Sequence, residues 1–256
     1  MKITFFGTGT SQGVPVIGCK CDVCMSSDSK DKRLRASILI EICSKKILID
    51  AGPDFRQQML REKISDLNAI LLTHEHKDHT GGLDDVRALN YISGKPAEIY
   101  AEKRVLDSVR SEYSYAFADS PYPGVPQMNL NTINDDIRFT VSDIEIIPIR
   151  AFHHKLPVLG FRIGDLVYIT DANKIEQSEM RKIHGCKVLI INALRKKGHL
   201  SHFTLPQALE VARESRAGQT YLTHISHQMG LHKVVEQELP ENVELAYDCL
   251  TFEIPE

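Results

Sequence analysis

Six consecutive residues, "HEHKDH" at 74–79, hold three histidines and an aspartate directly after the apolar run "AILLT" at 69–73. Imidazole nitrogen and carboxylate oxygen together suit zinc, manganese or iron, and a carboxylate can bridge two cations where an imidazole nitrogen cannot. The zincin helix is excluded, because it needs a second histidine at position 78, where the chain has Asp78, and the preceding run reads as strand. If extended backbone continues through His76, then His74 and His76 point to the same side, since side chains alternate with a period of two. Asp78 and His79 follow a tight turn, and "TGG" leads into helical spacing at Leu83, so both can face the same cavity near a helix N-terminus.

Four ligands are too few for two cations, and further candidates stand at other strand ends: His153 and His154 after "IIPIRAF", Asp171 after "LVYIT", and His224 after "TYLT". Spacing leaves open which of His153 and His154 is the ligand. "GCKCDVC" sets Cys19, Cys21 and Cys24 within six residues, a spacing that lets thiolates converge on one tetrahedral ion, for which zinc is the preferred metal and a structural role the usual one. The fourth ligand of that site stays open among His227, His232, Cys43, Cys186 and Cys249. Water held between two divalent cations loses its proton near neutral pH, zinc alone bringing its pKa to about 7, and the resulting hydroxide is a nucleophile. A proton donor for the leaving group is available from His199 or His202 in "GHLSHFTLPQA".

These residues need strands to carry them. Short β-branched runs recur at 2–6, 36–42, 46–50, 69–73, 97–101, 144–149, 166–170, 187–192 and 219–223. Helical spacing fills 53–64, 83–92, 102–113, 174–185 up to Gly185, 204–218 with Thr204 as N-cap and Gly218 as stop, and 233–239. Early strands are hairpin-like and later ones alternate with helices, which predicts a mixed α/β sandwich. The Tyr-, Phe- and Pro-rich segment 113–130 lacks a period and reads as a long ordered loop, either packed on its own aromatics or serving as a lid or partner contact. No internal repeat is visible.

At 256 residues and a formal net charge of −3, the chain is long enough for one large core and lacks the charge for a broad nucleic-acid or anionic-membrane footprint. No run approaches the roughly 20 apolar residues of a membrane span, and the apolar start is too short for a signal peptide, so a cytoplasmic protein is expected. Its six cysteines then read as thiols or metal ligands. Cys43, Cys186 and Cys249, beside apolar runs, are expected as small core residues, and His184 and His232 receive no role. "GTGTSQG" lacks the endings of the Walker and dinucleotide motifs and reads as a strand-to-loop turn.

The set His74-x-His76-x-Asp78-His79, followed in order by His153, Asp171 and His224, resembles the signature of the metallo-β-lactamase-fold hydrolases, and the likeness covers nearly the whole chain. It implies one α/β domain over 1–256, a four-layer αββα sandwich with a dinuclear site at one edge. One cation would be held by His74, His76 and His153 and the other by Asp78, His79 and His224, with Asp171 bridging. The stretches "GTGTSQGVPVIGCKCDVC" and "LTHISHQ" resemble, within that superfamily, the branch of the carbon–phosphorus lyase accessory phosphodiesterase, a cyclic ribose phosphate phosphodiesterase, which neighbours ribonuclease Z. That resemblance implies a structural zinc on Cys19, Cys21, Cys24 and His227, and a histidine acting on the transition-state phosphate that matches His202. A tRNA endonuclease would carry a long arm between His153 and Asp171, whereas 17 residues separate them, room for two strands and a turn. The expectation is therefore a hydrolase with two catalytic divalent cations (zinc or manganese, or iron) and one structural zinc. A bridging hydroxide would attack a small cyclic phosphodiester, with Asp78 and His202 as catalytic residues. Its partner would be a small molecule, with no large nucleic acid or membrane, and a homodimer is expected by analogy alone. Thioesterase or lactonase chemistry on the same scaffold, or a non-catalytic metal-binding interaction module, are the alternatives.

Overall fold

The computed structural model describes residues 1–120 and 122–255. One sheet is built from β1 (Lys2–Gly7), β2 (Ser37–Ile42), β3 (Lys45–Ile49), β4 (Ala69–Leu71), β5 (Ala97–Ala101) and β6 (Met128–Thr132). The other contains β7 (Phe139–Val141), β8 (Ile144–His153), β9 (Leu156–Ile163), β10 (Leu166–Ile169), β11 (Lys174–Ile175), β12 (Val188–Asn192), β13 (Gln219–Thr223) and β14 (Val243–Leu245). The chain then returns to the first sheet, where β15 (Thr251–Glu253) pairs antiparallel with β1. Each half follows one plan. β1, β2 and β3 run antiparallel and β3, β4, β5 and β6 parallel; β8, β9 and β10 run antiparallel and β10, β12, β13 and β14 parallel. The sequence shows no repeat that betrays this correspondence.

Strand periodicity decides the layering. Ile38, Ile40, Ile47 and Ile49 of the first sheet meet Phe161, Ile163, Tyr168 and Ile190 of the second in one buried cluster. Their neighbours Leu39 and Leu48 turn the other way, onto Phe55, Met59, Val86 and Leu106, from the helices Phe55–Arg61, Val86–Ser93 and Lys103–Glu112. Leu189 and Ile191 likewise face Met180, Ile183, Leu205 and Ala208, from the helices Gln177–Ile183 and Leu205–Ser215. Stretches apolar at every position, as "ILI" (47–49) and "VLII" (188–191) are, must be covered on both faces, and the outcome is the expected αββα sandwich. The helix Leu205–Ser215 starts at Thr204, whose hydroxyl and Gln207 form a capping box; it ends at Arg216 in the left-handed region, two residues before Gly218.

Several expectations are corrected. The strand within "AILLT" stops at Leu71, so strand alternation does not set the direction of His74 and His76. Lys174 and Ile175 pair with β8, leaving the helix there only Gln177–Ile183. The segment 113–130 is not wholly loop: Ser114–Ala116 makes a 3-10 turn and β6 begins at Met128, while Pro121 lies outside the described residues. Cys186 is buried as expected, but Cys43 and Cys249 are exposed, at turn positions with φ 48° and 71° rather than in the core. Among the described residues no helix is long and apolar enough to cross a membrane.

Candidate metal centre

The parallel strands of both sheets deliver polar residues at their C-terminal ends to one edge of the sandwich. Asp50 follows β3, Asp171 lies two residues after β10, and His224 follows β13, with φ of 64°, 54° and 54°. Non-glycine residues in the left-handed region are uncommon and cost free energy, and such strain concentrates at functional sites. Here the left-handed step turns the chain out of the strand direction and leaves each side chain buried at the edge. From β4 the chain continues through Thr73 and His74 to His76, which precedes the short helix Lys77–Thr80 carrying Asp78 and His79. That helix is seated by Ala51 N–H donating to His79 O (2.8 Å) and Gly82 N–H donating to Ala51 O (2.9 Å). A Cβ on Gly52 would stand 2.0 Å from Asp78 O, so only glycine fits there.

The seven expected ligands converge, and His153 rather than His154 is the one brought in. Ligand atoms of Asp78, His79, Asp171 and His224 lie within 4.8 Å of one another. His79 Nε2 is 3.1 Å from both Asp78 Oδ2 and Asp171 Oδ2, and His224 Nε2 is 3.1 Å from Asp171 Oδ1 and 3.6 Å from Asp78 Oδ2. Despite these short separations the buried Nε2 atoms of His74, His79 and His224 make no aligned hydrogen bond. Neighbouring ligands on a cation bound at about 2.0–2.1 Å stand roughly 3–3.5 Å apart, so the donor set fits a cation better than it fits itself. The rings of His74, His76 and His153 are also mutual neighbours, with centroids 4.6, 5.2 and 5.8 Å apart. His154, exposed and at φ 59°, donates its N–H to Asn173 Oδ1 instead.

A second layer fixes which nitrogen of each imidazole is free. Asp50 Oδ2 lies 2.7 Å from His79 Nδ1, and Ser201 O lies 2.9 Å from His153 Nδ1, so the proton each ring keeps in its neutral form is on Nδ1 and Nε2 is the atom available to a cation. Thr73 donates its hydroxyl to Asp50 (2.9 Å) and accepts from His74 Nδ1 (3.0 Å), which imposes the same tautomer on His74. Asp50 and Thr73 were not singled out from the sequence. The available signal was an acid closing a buried apolar strand just before a glycine and a proline, in "LIDAGP".

Charge in this pocket is strongly coupled. Burial alone would lower the pKa of His224, but Asp171 and Asp78 outweigh it and hold it up at about 9. Burial is likewise overcome at His79, raised well above the usual range by Asp171, Asp78 and Asp50. Asp78 and Asp171 resist the upward pull of burial and fall well below the carboxylate range, against His79 and His224. Burial keeps His74 neutral and takes His153 down to about 4. The pocket thus demands positive charge, which two imidazolium protons supply and which bound cations would displace.

His202 is buried beside this cluster, with Nε2 3.0 Å from Asp171 Oδ1 and its ring packed 4.5 Å from that of His153 and 4.9 Å from that of His224. Burial lowers its pKa, opposed by Asp171. His199, the other candidate, is exposed, and among the described residues its ring meets His202 and Ser201.

The thiol site also assembles. Cys19, Cys21 and Cys24 place their Sγ atoms 3.3, 3.4 and 3.5 Å from the single atom His227 Nδ1. One ring nitrogen cannot hydrogen-bond three thiols, whereas zinc with sulfur at about 2.3 Å and nitrogen at about 2.0 Å in a tetrahedron sets each sulfur about 3.5 Å from the nitrogen. His232 is excluded as the fourth ligand: it is buried on Arg33, 3.2 Å from the guanidinium, and its backbone N–H donates to Asp31 Oδ1 at 2.8 Å.

The chain belongs to the β-lactamase superfamily, whose domain model matches residues 45–225. A crystal structure described as a new diphosphatase from the PhnP family superposes with a TM-score of 0.92 and 36% identity, over 99% of this chain and 98% of that one. Among curated proteins, the octanoyltransferase of Porphyromonas gingivalis is 43% identical over 98% of this chain but only 51% of its own length. The ribonuclease Z of Nostoc punctiforme is 30% identical over 64% of this chain and 47% of its own length. The chain therefore spans about half the length of these curated relatives.

Proposed function

We propose that this chain is a dinuclear metal-dependent phosphodiesterase that hydrolyses a small, cyclic phosphodiester. The observation that carries the reading is the convergence of Asp78, His79, Asp171 and His224, with buried His79 and His224 Nε2 atoms that make no aligned hydrogen bond, beside His202. The likeness to a PhnP-family diphosphatase and to a ribonuclease Z supports phosphoric ester or anhydride chemistry. His74, His76 and His153 would hold one cation, Asp78, His79 and His224 the other, and Asp171 both. Such cations, zinc or manganese or iron, supply an activated water and neutralise charge on the phosphate. Asp78, its side chain 12% exposed, can also accept a hydrogen bond from the attacking water. His202 presents Nε2 to the same space. Burial lowers its pKa and Asp171, 3.0 Å from Nε2, opposes this; in its protonated form the ring can give the oxygen leaving phosphorus a proton, and the attacking water gives up one in turn. Water adds across one P–O bond, and a cyclic diester opens to a monoester with a free hydroxyl. The separate zinc on Cys19, Cys21, Cys24 and His227 would tie the N-terminal loop to the segment after His224.

The test is turnover of bis(p-nitrophenyl) phosphate and of a ribose cyclic phosphate by metal-loaded protein, with elemental analysis of the same sample. Asp171→Asn and His74→Ala are expected to lose more than the roughly 100-fold that follows from disturbing a supporting group; undiminished turnover in either rejects the site. One observation favours acyl chemistry instead, the likeness to half of an octanoyltransferase. Thioesterase or lactonase activity would then survive His202→Ala, whereas phosphodiester cleavage would not.

A further inference from the structure

The two residues of the 74–79 loop outside the expected ligand set, Glu75 and Lys77, are both tied to one helix, Lys103–Glu112. Glu75 pairs with Arg104 in its first turn and Lys77 with Glu112 in its last. Tyr113, which ends that helix, donates its hydroxyl to Thr80 O (2.9 Å) in the interior. Of these links the one through Arg104 goes furthest. Its Nη1 pairs with Glu75 Oε1, and its Nη2 donates to Pro157 O at 2.7 Å. Pro157 lies on β9, directly across from Phe152 on β8, next to the pair His153–Leu156. The guanidinium fork therefore spans the two chain halves at the point where His74 and His76 from one meet His153 from the other.

The surroundings make the fork rigid. Glu102, just before the helix, pairs with Arg150 of β8 through both carboxylate oxygens, one at 2.9 Å, and lies 3.9 Å from Arg104. A backbone bond from Leu159 N–H to Thr73 O (3.0 Å) clamps the same seam from inside. The Lys77–Glu112 pair is mostly exposed at the lysine, 63%, and such pairs contribute little. Arg104 is 36% exposed and Glu75 23%, and a planar fork holding a carboxylate and a carbonyl at once has a geometry that an ammonium cannot copy.

We infer that Arg104 is a positioning residue: by joining Glu75 to the Pro157 carbonyl it holds His74, His76 and His153 at the spacing that one of the two cations requires. The inference rests on the dinuclear reading above. It also separates the cations, because Asp78, His79 and His224 are positioned by Asp50 and by the strand ends and not by Arg104.

The experiment measures release of metal from Mn- or Zn-loaded holoprotein to a chromophoric chelator, for wild type, Arg104→Met, Arg104→Lys and Glu75→Gln, with steady-state kinetics on bis(p-nitrophenyl) phosphate alongside. Methionine keeps the apolar stem and removes both bonds. Arg104→Met and Glu75→Gln should each weaken one ion by about 10- to 100-fold and leave the other catalytic ion and the thiol-bound zinc unchanged. kcat should fall at subsaturating metal, with KM unchanged and recovery when metal is raised. Arg104→Met combined with Glu75→Gln should match either single change, since both break the same Glu75–Arg104 link, and Arg104→Lys should behave as Arg104→Met. Two catalytic ions held with wild-type affinity in Arg104→Met overturn the inference, as does a raised KM with normal metal retention, which would make Arg104 a substrate contact. Should Arg104→Met not fold, the near-isosteric Glu75→Gln decides by the same criterion. Wild-type protein that binds no pair of ions overturns the dinuclear reading itself, a result distinct from a wild type with two ions and indifferent variants.

Discussion

Asp50→Asn is the most informative single change, because it swaps one oxygen for a nitrogen while keeping the side chain's shape. The carboxylate accepts from Thr73 N–H at 2.9 Å, from the Thr73 hydroxyl at 2.9 and 3.1 Å, and from His79 Nδ1 at 2.7 Å, all in the interior. An amide has one accepting oxygen. If that oxygen stays on Thr73 N–H, the new NH2 faces His79 Nδ1, which must then accept and pass its proton to Nε2. Nε2 is the atom that has to be bare to bind a cation. A charge-assisted hydrogen bond contributes about 1.5–3 kcal/mol, and at 1.4 kcal/mol per tenfold this corresponds to roughly 10- to 100-fold in affinity at the Asp78–His79–His224 end, in the range reported for supporting partners of ligand histidines generally. Chelator competition gives the affinity. Long-range nitrogen–proton NMR on imidazole-labelled protein gives the tautomer, with His79 expected as Nδ1–H in the wild type and shifted in the variant. Unchanged affinity together with an unchanged His79 tautomer would show that Asp50 does not choose the ligand nitrogen, and the second-layer argument would fail with it.

Three other outcomes follow from separate parts of the structure. Gly52→Ala puts a methyl 2.0 Å from Asp78 O, so the ligand helix must shift; a loss of about 1–3 kcal/mol in urea unfolding and weaker metal binding are expected, and an unperturbed variant would mean that the loop yields more easily than its packing suggests. His232, buried on Arg33, has its pKa lowered to about 4 by burial and by the guanidinium. Below pH 6.5 the unfolded chain takes up a proton that the folded chain refuses, so stability falls as pH drops from 6.5 towards 4, by at most about 3 kcal/mol. The stability difference between wild type and His232→Gln should slope in that window and be flat above it. On the proposed structural zinc, chelating metal from the thiol site or making Cys21→Ser should cut the metal count by one ion per chain and lower Tm by roughly 5–10 °C, taking about 2.7 kcal/mol for a ligand present at 100 times its Kd and 2–4 °C per kcal/mol for a chain of this size. A Tm unmoved by zinc loss would argue against a structural role.

The layering was legible because runs such as "ILI" at 47–49 and "VLII" at 188–191 are apolar at every position and leave no face for water. The candidate ligands were visible as imidazoles and carboxylates at strand ends, but spacing alone left His153 and His154 open, and the grouping into two sets came from the family resemblance. What could not be read is the means by which those side chains meet. Strand alternation was expected to aim His74 and His76, yet β4 stops at Leu71, and the loop beyond it is held by Asp50 and Thr73 and by the seat beneath Asp78 that Gly52 keeps open. Asp50, Asp171 and His224 reach the edge through left-handed backbone, a conformation that neither propensity nor periodicity announces for Asp or His. Cys43 and Cys249 failed as core residues for a related reason: each sits beside an apolar run but at a turn with positive φ, where the side chain leaves the strand's inward–outward order. Sequence periodicity thus carries the sandwich, and departures from it at the strand ends carry the site. The strain at Asp50, Asp171 and His224 is offset by the packed sheets behind them, and substitutions that relax those three turns should loosen metal binding before they loosen the fold.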